Sequence, residues 1–276
     1  MTADERLARV RAKVERAKQH IVDLNLRLKD FLDSKPYVVG AQRDPQTRRP
    51  VYYLAAVREV PPVIRLLAGD IIQNLRSALD HLAFQLYMLG PGGVASGAGS
   101  RTYFPIADDA AKYKMEAPRK VKGLRPDAIK AIDAIEPYKG GTTDKSDTLW
   151  RLEKMNNIDK HRLLIAVGSQ FSSVDIGGDA ERLLREAMAK GPPEMRFAIP
   201  KINLFIRPAD RQWPLKAGNQ LFVDGPDAEV DQNRQFRFEV AFGESKIAEG
   251  EPIIETLQHM ADLVDSLIGS FRPFLA

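Results

Sequence analysis

PVIRLLAGDIIQNLRSALDHLAFQLYML, residues 62–89, carries two messages in one helix. Ile64, Leu67, Ile71, Leu75, Leu79, Leu82 and Leu86 recur at three- and four-residue spacing and mark a buried face. Between Gly69 and His81 the helix carries seven polar side chains: Asp70, Gln73, Asn74, Arg76, Ser77, Asp80 and His81. Pro62 suits a first helical turn, where its missing N–H costs little. Gly90-Pro91-Gly92-Gly93 ends the pattern.

The segments on either side decide what such a helix packs against. Across residues 3–34, Leu7, Val10, Val14, Ala17, Ile21, Leu24, Leu28 and Phe31 alternate three and four apart without a slip. That is a heptad seam, which needs another helix, either in the same chain or in a second protomer. The chain itself supplies two long partners, 62–89 and 252–275, which favours packing within it. Between the first two helices, 37–43 and 51–59 read as a hairpin around the turn residues Asp44-Pro45-Gln46-Thr47. Shorter helices are expected near 108–116, 126–136, 146–160 and 178–190, and strands within 162–176, 195–207, 219–224 and 234–243. Arg234–Val240 shows the alternation of a half-exposed strand.

The expected class is therefore α+β, a long-helix bundle with a β-rich region inserted before the C-terminal helix. Residues 1–161 form a helical core with the hairpin at 37–59. Residues 162–248 are the β-rich region, and 249–276 return to the core as a helix.

Composition narrows the function classes. The 276 residues are 44% hydrophobic and 28% charged, an ordinary globular balance. There is no cysteine, so thiol catalysis, disulfides and Cys-based zinc sites are excluded. A formal charge of +4 is small for this length and does not by itself argue for nucleic acid. No apolar run of membrane-spanning length is present. The N-terminal residues lack an apolar signal region, and a cytoplasmic location is expected.

By the 100° step of a helix, Asp70, Asn74, Ser77 and His81 form one line, with Gln73, Arg76 and Asp80 beside it. Both lines fall away from the leucines. A solvated face more often carries Lys and Glu, which favour helix, than Asp, Asn, Ser and His. Arg76 with Asp80 also fits an ordinary i,i+4 ion pair. Chemically, a histidine can act as general acid or base and an arginine can fork onto a phosphate. RNA cleavage by internal transfer needs those functions and no metal.

Arg76-Ser77-Ala78-Leu79-Asp80-His81, an arginine, four residues and a histidine late in a long helix, resembles the signature of the HEPN superfamily. The resemblance implies an α-helical domain, a homodimer, and in many members a metal-independent endoribonuclease of toxin or defence type. It implies that Arg76 binds the scissile phosphate and His81 moves a proton, with Asn74 and Asp80 orienting them. Ser77 stands where that family often carries Asn, Asp or His. Asn74–His81, Phe104-Pro105-Ile106 and Asp159-Lys160-His161-Arg162 together resemble a recurring pattern in a bacterial family with no established function.

The second cluster, Asn156–Arg162, closes a helix with groups that suit its C-terminus. It also offers Asp159, Lys160, His161 and Arg162 to a cleft shared with Asp70 and the stripe. A metal reading of Asp80, His81, Asp159 and His161 lacks any H-x-x-x-H or HExxH spacing, and neither metal nor cofactor is expected. The catalytic candidates are thus Arg76 and His81. Asp70, Asn74, Ser77, Asp80, Asp159, Lys160, His161 and Arg162 are candidates to bind or orient a ligand, RNA or a nucleotide. Two competing classes are a non-catalytic module for a nucleotide, RNA or protein partner, and a structural protein that pairs through the 7–31 seam.

Overall fold

The heptad seam finds its cover inside the chain. All eight seam residues from Leu7 to Phe31 are buried in the computed structural model of the protein. The structure describes residues 1–94, 102–162, 167–190, 198–202, 204–207, 214–226, 228–244 and 246–276, and at Gly92, Val94, His161 and Arg162 the backbone alone. It divides into two units. One comprises Met1–Lys29, Pro61–Val167 and Glu244–Ala276, and the other Asp30–Val60 and Gly168–Gly243.

The first unit is built on four helices: α1 (Ala3–Asp33), which runs into the second unit over its last turn, α2 (Pro62–Leu89), α6 (Ser146–Arg162) and α8 (Ile253–Ser270). Arg6 donates to Gln85 at 3.0 Å and Arg272 bonds Asp4 at 2.7 Å, so the start of α1 lies at the ends of α2 and α8. Arg11 and Lys18 both bond Asp265, and together with the Arg272–Asp4 pair this sets α1 antiparallel to α8. α2 touches both α6 and α8, and so is buried over more than the narrow stripe its leucines imply. Pro61 and Pro62 open α2, and the Gly90 N–H closes it on the Tyr87 carbonyl at 3.0 Å. Between α2 and α6 lie α3 (Pro91–Val94), α4 (Ala110–Lys120) and α5 (Pro126–Asp133). Asp109 caps α4 by accepting the Lys112 N–H at 2.8 Å.

The second unit holds two three-stranded sheets. β1 (Tyr37–Arg43) and β2 (Pro50–Val57) form the expected hairpin, whose turn is fixed by Asp44 accepting the N–H groups of Gln46 and Thr47. β2 then pairs antiparallel with β5 (Gln220–Val223). The other sheet runs β4 (Phe205–Ile206), β3 (Val167–Asp175), β6 (Phe236–Phe242). The helix α7 (Gly177–Lys190) follows β3. Leu54, Phe171, Val174, Leu215 and Leu221 form a shared core, with Tyr37, Phe236 and Phe238 against it.

The α+β class is as the sequence implies. One boundary differs. The hairpin at 37–59, expected with the helices because it lies between two of them, belongs to the β unit. Its Leu54 is fully buried in the sheet core, and β2 has its second edge taken by β5. Of the expected strand at 195–207, only Phe205–Ile206 is strand among the described residues.

Candidate functional site

α2 presents its polar residues in two directions, because a 100° step separates Arg76 and His81 by about 140° around the axis. His81, Asp70 and Gln73 are exposed, with Asn74 and Ser77 half-buried. Arg76 is buried, with 6% of its surface exposed. Its place beside the leucines departs from the sequence expectation that both polar lines face away from them. The cause is α6, which covers that flank of α2 and widens the buried arc.

Every nitrogen of the Arg76 guanidinium is used inside the protein. Nε donates to Glu153 of α6 at 2.5 Å, and Nη1 donates to Asp80 at 2.5 Å. Nη2 donates to the Phe104 carbonyl at 3.0 Å. Asp80 in turn accepts the Phe104 N–H at 3.0 Å, so both backbone groups of one buried residue are held from α2. Asn157 donates to the second Glu153 oxygen at 3.4 Å. Burial disfavours the charged guanidinium, but Glu153 and Asp80 outweigh it and Arg76 binds its proton more firmly than usual. For Asp80, burial is the largest influence and raises the pKa, with Arg76 and the Phe104 N–H offsetting only part of it.

The second contact between the helices is at Gly69. A Cβ there would collide with the Asp159 carboxylate, so glycine lets that side chain lie against the α2 backbone. Burial, and then the nearby charge of Asp70, raise the pKa of Asp159. Asn74 donates to the Asp70 carbonyl at 2.7 Å, a bond within its own helix. Lys160 is exposed on α6. The side chains of His161 and Arg162 lie outside the described residues.

The structure therefore sets Phe104 against Arg76 and Asp80 of the quoted Asn74–His81 segment, and Asp159 against Gly69, which lies outside it. It does not bring Arg76 and His81 onto one surface. Glu153, absent from the sequence candidates, is the central partner of Arg76. Its signal in the sequence is weak, one glutamate in a helix that carries many polar residues. Among the described residues, no three His, Asp or Glu side chains converge to hold a metal. A cavity of about 550 Å³ is lined by Tyr113, Asp133 and Tyr138 among others, none of them on α2. No helix among the described residues is long and apolar enough to cross a membrane.

Comparison with known proteins adds no relative: no family model, curated protein or solved structure matches the chain.

Proposed function

We propose that the chain is a HEPN-like protein-binding module without catalytic activity, which engages its partner through the exposed face of α2. The observation that carries this is the commitment of Arg76. A phosphate at that guanidinium would have to displace two carboxylates and a buried carbonyl, and it would meet the negative charge of Glu153 and Asp80 there. The ribonuclease that the Arg-x4-His motif implies needs Arg76 turned toward substrate. The surface chemistry argues the same way. α2 has two cations, Arg65 and Arg76, and neither is on the exposed arc, which carries Asp70, Asn74, Ser77 and His81 instead. A nucleic-acid backbone is recognised by clustered Lys and Arg, which this arc lacks.

The test is a metal-free RNA incubation of the wild type beside Arg76→Ala and His81→Ala. None of the three is expected to cleave above the buffer rate. Cleavage by the wild type that is lost in a folded His81→Ala variant would overturn the module reading and restore the nuclease.

A further inference from the structure

We infer that the cavity beside α4 binds a small aromatic acid, a flat apolar body that carries a single negative charge. Its lining lies wholly within the first unit, and none of it is on α2. One line of side chains forms the wall: Ala110, Tyr113, Ala117 and Val121 succeed one another three or four residues apart. Ile129 of α5 adds to it. Alanine at 110 and 117 leaves open the space that a larger side chain would fill. The cavity of about 550 Å³ falls within the range of small-molecule sites, about 300–1,000 Å³. Apolar wall left uncovered forgoes burial that a ligand's ring recovers.

Tyr113 and Tyr138 offer aromatic surface that is set before any ligand arrives. Their ring centroids are 5.4 Å apart and their planes tilt by 48°. The Tyr113 hydroxyl donates to Asp133 at 2.8 Å, and the Ala107 N–H donates to the Pro137 carbonyl, next to Tyr138, at 3.1 Å. Surface held in this way lowers the ordering cost of binding a flat ring. The charges around the rings decide the sign of the ligand. Two carboxylates line the cavity and both are engaged: Asp133 by Tyr113, and Glu136 by the N–H and hydroxyl of Thr142 at 2.5 and 2.8 Å. Two lysines line it, Lys114 and Lys122, and both are exposed and pair with no described residue. Lys112 and Lys120, which are not in the lining, pair with Asp108 and Glu116 at 2.8 and 3.0 Å. The uncommitted charge at the cavity is therefore cationic and suits an anion. Asp133 and Glu136 close by oppose a second negative charge, so a carboxylate fits better than a phosphate dianion.

The test titrates the full chain with naphthaleneacetate and, separately, with its neutral amide, naphthaleneacetamide, while the NMR ring signals of labelled tyrosine are followed. The acid is expected to move two tyrosines, Tyr113 and Tyr138, with a Kd below about 1 mM. It is expected to bind about fivefold tighter than the amide, the size of two solvent-exposed ion pairs. Replacing both lysines, Lys114→Met with Lys122→Met, lowers the affinity for the acid to that for the amide and leaves the amide unchanged. Ala110→Trp, at an exposed position that does not burden the core, fills the cavity and weakens both ligands more than about tenfold. Tyrosine signals that stay fixed up to about 5 mM naphthaleneacetate overturn the site. Equal affinity for acid and amide, or a preference for the acid that survives loss of both lysines, overturns the assignment of an anion. Binding of both ligands that survives Ala110→Trp places them elsewhere and overturns the cavity.

Discussion

Arg76 and His81 are five residues apart on the same helix and face different worlds. Arg76 is buried between α2, α6 and Phe104, with each nitrogen bonded to a protein acceptor. His81 stands in solvent on the exposed arc of the same helix. The comparison separates two uses of polar chemistry on one helix. On the inner side, charge and hydrogen bonds position a loop and a neighbouring helix. On the outer side, polar groups lie exposed or half-buried between apolar ends that are open to solvent.

The sharpest way to break this contrast is to remove the inner cation. Arg76→Ala leaves Asp80 and Glu153 without their counter-charge and the Phe104 carbonyl without its donor. Breaking a buried pair on one side is costly, and urea unfolding should show a loss of about 3 kcal/mol. A loss under about 1 kcal/mol would mean that water replaces the clamp.

The Asp159 contact sharpens the picture through pH. Its raised pKa means that the folded chain holds this proton more tightly than the unfolded chain. The stability it contributes is present below the ordinary carboxylate range and lost as pH rises through the folded value. Asp159→Asn should therefore be more stable than wild type near pH 7 and about equal to it near pH 3, as read from thermal unfolding at the two pH values. Equal stability at both would place Asp159 in free solvent.

Asp108 supplies the opposite sign. Lys112 and Lys154 hold its carboxyl down to about 2, so the stability it gives is present above 3.8 and lost as pH falls toward about 2. The carboxylate is partly exposed and Asp108→Asn should cost less than about 1 kcal/mol at neutral pH, with the difference vanishing in acid. The smallest effect is expected at His81. His81→Ala should change unfolding free energy by no more than about 0.5 kcal/mol. A larger loss would place His81 in a structural network like that of Arg76.

The helices were legible because three- and four-residue spacing survives any tertiary context. α2 spans Pro62–Leu89, the same bounds that its apolar run and flanking Pro and Gly imply. The Arg76–Asp80 pair was legible for the same reason, as neighbours one turn apart. The allegiance of the hairpin was not, because β2 pairs with β5, a strand far along the chain. Nor was the commitment of Arg76: Glu153 lies 77 residues away, and periodicity gives a side chain's angle but not which flank a neighbouring helix will cover. The separation of Arg76 and His81 was legible, because the 100° step alone sets them about 140° apart. On a helix those five residues are nearly half a circle.

The most direct measurement of this division is side-chain NMR of the Arg76 guanidinium while RNA oligonucleotide is added without metal. A slowly exchanging Nε–H resonance, held by Glu153, that does not move during the titration is expected. A shift or loss of that resonance on adding RNA, with phosphate displacing Glu153, would contradict it.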